Sequence, residues 1–255
     1  MNEQKKIIVV VAAIIVIAGG GAWWYQSKKT QPQVEQGSGL PKELQAYESL
    51  FKFENFDPNL PDIAREKYFK RFTNATNALR ADPKAFNAWL ELGKVHKNLN
   101  AFEKARDAWN RLGEVSPKNS ISFGNVGDLY AWFLHNPKKG EENYLIAIKN
   151  EPGEINFRRN LAEIYAKLMY PNSQDPQQLA GQKDKIIPLL EEAVAKASAD
   201  VEKAEMAALL GSYYRDWGDK AMAVKWYRKV LELDPKYPNR SIIQDEIKKL
   251  SKVRG

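Results

Sequence analysis

Cysteine is absent from the 255 residues, which removes disulfides, thiolate metal sites, a cysteine nucleophile and a lipidated cysteine together. Histidine is nearly absent. His96 and His135 are the only two, so a metal site would need carboxylates and a histidine base would have to be one of this pair. The chain has no glycine-rich phosphate loop, no G-x-S-x-G and no H-E-x-x-H. Glu141-Glu142 and Glu191-Glu192 are paired only in sequence, because neighbours on a helix point about 100° apart and cannot serve one bond as acid and base. These absences point away from an enzyme, a metal site and a cofactor. Charge of one sign is not concentrated either. The net charge is +7, yet Lys and Glu alternate along the chain, as on a solvated mixed surface and unlike a nucleic-acid-binding face.

One long apolar run is present. Ile7 to Tyr25 carries no charge, lacks a polar stripe, and as a helix would reach about 28 Å, close to the hydrocarbon thickness of a bilayer. Trp23, Trp24 and Tyr25 stand where an interfacial aromatic belt would lie, with Lys28 and Lys29 beyond them. The run predicts a transmembrane signal-anchor over 7–25 behind a short cytoplasmic tail, 1–6, so that the lipid bilayer is one partner. A cleaved secretory signal is the competing reading, because Ala18-Gly19-Gly20 and Gly20-Gly21-Ala22 have the small-residue spacing of a cleavage site. Lys5 and Lys6 nearly balance Lys28 and Lys29, and the short leading tail favours an extracytoplasmic bulk. Residues 26–43 are polar and rich in Gln, Ser, Gly and Pro, the composition of a flexible linker.

The remainder is periodic. Pro83, Pro117 and Pro152 are spaced by 34 and 35 residues, and Pro235 closes a later stretch. Proline cannot continue a helix, so each marks a helix end. Before Pro117 stand Trp89-x-x-Leu92-Gly93-x-x-His96 and Ala105-x-x-x-Trp109-x-x-Leu112. The same frame holds Phe123, Val126, Gly127 and Tyr130 with Gly140, Tyr144 and Ala147, one residue late. It recurs at Leu161, Ala162 and Tyr165, where Arg158 takes the first large apolar position, and at Ala207, Leu210, Gly211 and Tyr214 with Ala223, Tyr227 and Val230.

This pattern resembles the tetratricopeptide (TPR) repeat from about Asp62 to Lys252. The resemblance implies an all-α, right-handed solenoid of helix-turn-helix pairs, about four to five repeats over 44–255, with Trp89, Trp109, Tyr130, Tyr144, Tyr165, Tyr214 and Tyr227 as core. The blocks are 62–85 (degenerate), 86–119, 120–154, 155–200 with an inserted loop at 169–183, and 201–237. A capping helix at 239–253 would place Ile242, Ile243, Ile247 and Leu250 on one face. Leu44 to Ala81 reads as an irregular first block.

The resemblance further implies a protein or peptide ligand on the concave surface made by the first helix of each pair. The frame puts Lys94, Asn98, Asn125, Asp128, Arg159, Asn160, Glu163, Ser212 and Arg215 there, a mixed set able to hold a peptide backbone or carboxylate. His96 falls on a packing position and His135 in a turn. The expected protein is therefore a non-enzymatic scaffold in a bacterial-type inner membrane with its repeats outside, serving envelope assembly, folding or secretion. An accessory or weak hydrolase of cell-wall material is the alternative.

Overall fold

The computed structural model describes residues 39–252, and among them there are eleven helices and no strand. The apolar stretch 7–25 lies outside the described residues, as do 1–6 and most of the expected linker. Among the described residues no helix is long and apolar enough to cross a membrane.

The helices are α1 (Lys42–Phe51, wound in 3-10 turns), α2 (Asp62–Ala81), α3 (Phe86–Asn98), α4 (Phe102–Val115) and α5 (Ile121–Asp128). There follow α6 (Pro137–Asn150), α7 (Ile155–Ile164), α8 (Pro176–Lys196), α9 (Asp200–Asp216), α10 (Lys220–Leu233) and α11 (Arg240–Ser251). From α2 onward each helix packs on the next, and α7 also touches α9. Helices α2, α4, α6 and α10 stop two residues before Pro83, Pro117, Pro152 and Pro235, where the residue before proline is driven out of the helical region.

The in-frame residues explain the stacking. Trp89, Leu92, Ala105, Trp109 and Leu112 are buried together between α3 and α4, and Leu161, Tyr165, Ala207, Leu210, Tyr214 and Tyr227 fill the later layers. Trp89 donates its indole N–H to the Pro83 carbonyl at 2.9 Å. Arg158, which seemed to break the frame, stands on the same spot. Its Nη1 donates to the Pro152 carbonyl, also six residues back, at 2.7 Å, and Nη2 pairs with Glu192 at 3.0 Å.

The residue that lengthens the second block is taken up by a π-helical turn, Leu129–Phe133, closed by Leu134 N–H to the Leu129 carbonyl. A second π turn, Tyr165–Met169, ends the first helix of the next pair.

Four expectations are corrected. The 169–183 insertion is not a loop throughout, because α8 begins at Pro176 with Asp175 accepting from the N–H groups of Gln177 and Gln178. The linker ends earlier than residue 43, since α1 starts at Lys42. Ile242 is 60% exposed, leaving Ile243, Ile247 and Leu250 to cover the end of the core. Tyr130 is only half-buried, because the π turn rotates the end of its helix outward.

The irregular first block is half a hairpin. Segment 42–56 does not pair with α2 as a repeat helix would; it runs antiparallel to α4 as a strap. Tyr47 donates to Glu114 at the end of α4, and Glu54 meets Lys104 near its start at 2.6 Å. Leu44, Leu50 and Phe51 are the strap's buried residues, and Tyr47 and Phe51 pack edge-on against Trp89.

Gln182 locks the inserted segment to the next pair, donating to the Tyr170 carbonyl and accepting from the Trp217 indole at 2.6 Å. Replacing Gln182 with leucine strands both groups and is expected to cost about 1–3 kcal/mol, read as a lowered urea midpoint at unchanged m-value.

Candidate functional site

Helix α9 carries Val201, Glu205, Ala208 and Ser212 at helical spacing, hence along one face. That face, Arg159 of α7 and the turn Tyr237-Pro238-Asn239 before α11 enclose an open pocket of about 450 Å³, with Leu209 as a further apolar wall. The pocket spans the first helix of two successive pairs and the start of the terminal helix. Its charges cancel. Arg159 pairs with Glu205 and also donates to Asn156 at 3.0 Å. Burial pushes the Tyr237 phenol up, with Glu205 adding to the effect and Arg159 opposing it, so the hydroxyl stays a neutral donor.

Two of the residues picked from the repeat frame, Arg159 and Ser212, line this pocket, although the Ser212 hydroxyl is turned back to the Leu209 carbonyl at 2.7 Å. Asp128 and Asn160 are joined through the Tyr144 hydroxyl, which donates to Asp128 and accepts from Asn160 at 3.1 Å. Burial first, then the Asp128 charge, drives the Tyr144 phenol far up and keeps it protonated. This chain ties α5, α6 and α7 together, so those two candidates are structural links as well as surface groups.

Arg215 reaches Asp216 at 2.9 Å and Glu246 of α11 at 3.8 Å. Glu163 is paired with Lys167 one turn on. Lys94 and Asn98 stand exposed on α3, Asn98 donating to the Lys94 carbonyl at 2.8 Å, and Asn125 is half-buried on α5. The structure brings none of these three into the pocket.

Glu205, Leu209 and Tyr237 were not legible as site residues. The helical spacing 201, 205, 208, 212 was a usable signal for the α9 stripe, but nothing local announces that Tyr237 folds back over it. Among the described residues no group of three or more His, Asp or Glu side chains is placed to hold a metal. What the pocket offers is hydrogen-bond donors, acceptors and apolar walls.

Two stretches, residues 73–117 and 204–237, match family models described as tetratricopeptide repeat. With the geometry above, they define the class: the chain carries TPR repeats stacked as an all-α solenoid. Among particular proteins, it is 27% identical over 188 residues to anaphase-promoting complex subunit 3 of Schizosaccharomyces pombe. The match takes in 73% of this chain and 25% of that one, so the chain spans a quarter of that relative's length. Similar solved structures include the C-terminal part of a TPR repeat-containing protein from Cytophaga hutchinsonii (TM-score 0.51, 17% identity, 73% of this chain and 70% of that chain). Another is PilF of Pseudomonas aeruginosa (TM-score 0.47, 18% identity, 66% and 68%). The likeness to the Cytophaga hutchinsonii protein is one of fold.

Proposed function

We propose that this protein is a non-enzymatic adaptor that holds a peptide or protein partner in the α7–α9–α11 pocket. The observation that carries the reading is the pocket itself. A concave site crosses successive repeats, with apolar walls at Val201 and Leu209 and polar groups at Arg159, Glu205 and Tyr237. Mixed walls of this kind suit an extended chain, whose backbone needs donors and acceptors while its side chains seek apolar cover. The apolar run 7–25, with Trp23, Trp24 and Tyr25 at its end, supports tethering to a membrane, and a tethered scaffold of repeats suits assembly, folding or secretion machinery.

A photo-crosslinking residue at Ser212 of the full chain in native membranes tests the groove. The expected product is a reproducible adduct with one partner protein, abolished by Leu209→Arg, with circular dichroism confirming that the variant is folded. Absence of any adduct, or one that survives Leu209→Arg, would sink the groove. Carbonate extraction tests the tether: the full chain is expected in the pellet, and a soluble product shortened by about 20 residues establishes signal cleavage instead.

A further inference from the structure

The strap on the first full repeat shows what the edge of a repeat can hold, and the second repeat presents matching groups with no strap over them among the described residues. On the first repeat three contacts seat the backbone and charge of residues 50–56. His96 Nε2 bonds the Leu50 carbonyl at 3.0 Å, the Phe56 N–H donates to the Leu99 carbonyl at 2.9 Å, and Lys104 takes the Glu54 carboxylate at 2.6 Å.

Each has a counterpart one repeat on. Tyr130 stands seven residues after Phe123 as His96 stands seven after Trp89, and its hydroxyl can donate where His96 does. Leu134 is the residue after the first helix, as Leu99 is, and no backbone N–H of the described residues donates to its carbonyl. Lys139 precedes Gly140 as Lys104 precedes Ala105. It lies over the Tyr130 ring at 5.3 Å and is paired with no described carboxylate. The next lysine of this row, Lys185, again has a carboxylate, Glu141, at 3.0 Å. Among the described residues the middle member of the row is the one without.

The surroundings fit an acidic, aromatic guest. Phe133 is 37% exposed, packs at a tilt on Phe102 with centroids 4.6 Å apart, and carries Lys97 at 5.2 Å from its ring. Lys138, next to Lys139 in the chain, is also exposed. Where the strap's Phe53 packs on Phe69 and Phe72, the second repeat has this Phe102–Phe133 pair instead.

We infer that the edge formed by Tyr130, Phe133, Leu134 and Lys139 is a second binding site, distinct from the α7–α9 pocket, for an extended partner segment combining a carboxylate with flanking aromatics. Backbone hydrogen bonds to Tyr130 and Leu134 set its register, and the lysines select its charge.

The probe is a dye-labelled peptide of residues 50–57, Leu-Phe-Lys-Phe-Glu-Asn-Phe-Asp, titrated onto the detergent-solubilised full chain by fluorescence anisotropy. Binding that weakens with salt is expected, about tenfold weaker in Lys139→Glu and weaker again when the peptide's Glu is replaced by Gln. Tyr130→Phe is expected to weaken it severalfold. Lys139 is exposed, so unchanged thermal unfolding of Lys139→Glu should separate lost binding from lost folding. No saturable binding, or binding indifferent to Lys139→Glu as when the peptide merely exchanges with the strap, overturns the assignment. So does co-sedimentation with phosphatidylglycerol vesicles that Lys139→Glu abolishes while the peptide fails to bind, which would make this edge a lipid-facing surface.

Discussion

Replacing Gly93 with alanine is expected to lower the unfolding free energy by about 2–3 kcal/mol, the upper part of the range for overpacking a fixed core. A β-carbon there would lie 2.2 Å from Trp109 Nε1 and within 2.5 Å of two more ring atoms. The ring cannot swing aside cheaply, because Trp109 is 1% exposed and its N–H donates to the Leu90 carbonyl at 3.1 Å. Alanine's better helix propensity returns about 1 kcal/mol, which is too little to offset the clash. The equivalent changes at Gly127 and Gly211 should cost less, since the nearest atoms of Tyr144 and Tyr227 are 2.7 Å away. Gly153→Ala, with nothing within 4 Å, is the control. Urea denaturation of Gly93→Ala, Trp109→Leu and the double variant gives the decisive reading. Once the ring is gone the alanine should cost nothing further, so strict additivity of the two losses would show that the close approach is not what requires glycine.

That glycine illustrates which parts of the fold the sequence made legible. Trp89, Leu92, Gly93, Ala105 and Trp109 are set by contacts between helices adjacent in the chain, so the same residue types return at a fixed period and announce themselves. Arg158 is instructive because it departs in type and keeps the role. Its guanidinium makes the bond to Pro152 that the Trp89 indole makes to Pro83. The start of α8 was legible in principle, as Asp175-Pro176 is a cap residue followed by the favoured first helical residue.

The strap was not legible. Leu44, Leu50 and Phe51 belong to no period, and their cover comes from residues some 40 positions away, a contact that no local rule encodes. The pocket fell between the two cases. The frame placed Arg159 and Ser212 on the correct helices, but Glu205, which neutralises Arg159, and Tyr237, which closes the pocket, are brought there only by the packing of α7, α9 and the turn before α11.

Acid is expected to destabilise this fold more than its carboxylates alone would dictate, through His96. Burial lowers the imidazole pKa from the ordinary 6.5 to about 4, with the bond to Leu50 opposing that shift. Nε2 must carry the proton that the Leu50 carbonyl accepts, and Nδ1 is buried with no partner among the described residues, so a second proton there finds no acceptor. The unfolded chain takes up that proton below pH 6.5 and the folded chain only near pH 4. The stabilisation is therefore complete above pH 6.5 and is lost as pH falls from 6.5 to 4, to a total of about 3 kcal/mol. His96→Gln can keep a donor near the Nε2 position without the titration. Between pH 7 and pH 4.5 the wild-type protein should lose about 2 kcal/mol more than His96→Gln in urea denaturation, and equal losses would remove His96 from the account. The route of the loss can be read separately. His96 touches the strap, and releasing residues 42–56 exposes less apolar surface than unfolding every repeat, so opening of the strap should come first. The protection factor of the Phe56 amide, whose N–H is held by Leu99, should then fall at pH 5 once the slower intrinsic exchange in acid is divided out, while the amides of α9 and α10 stay protected.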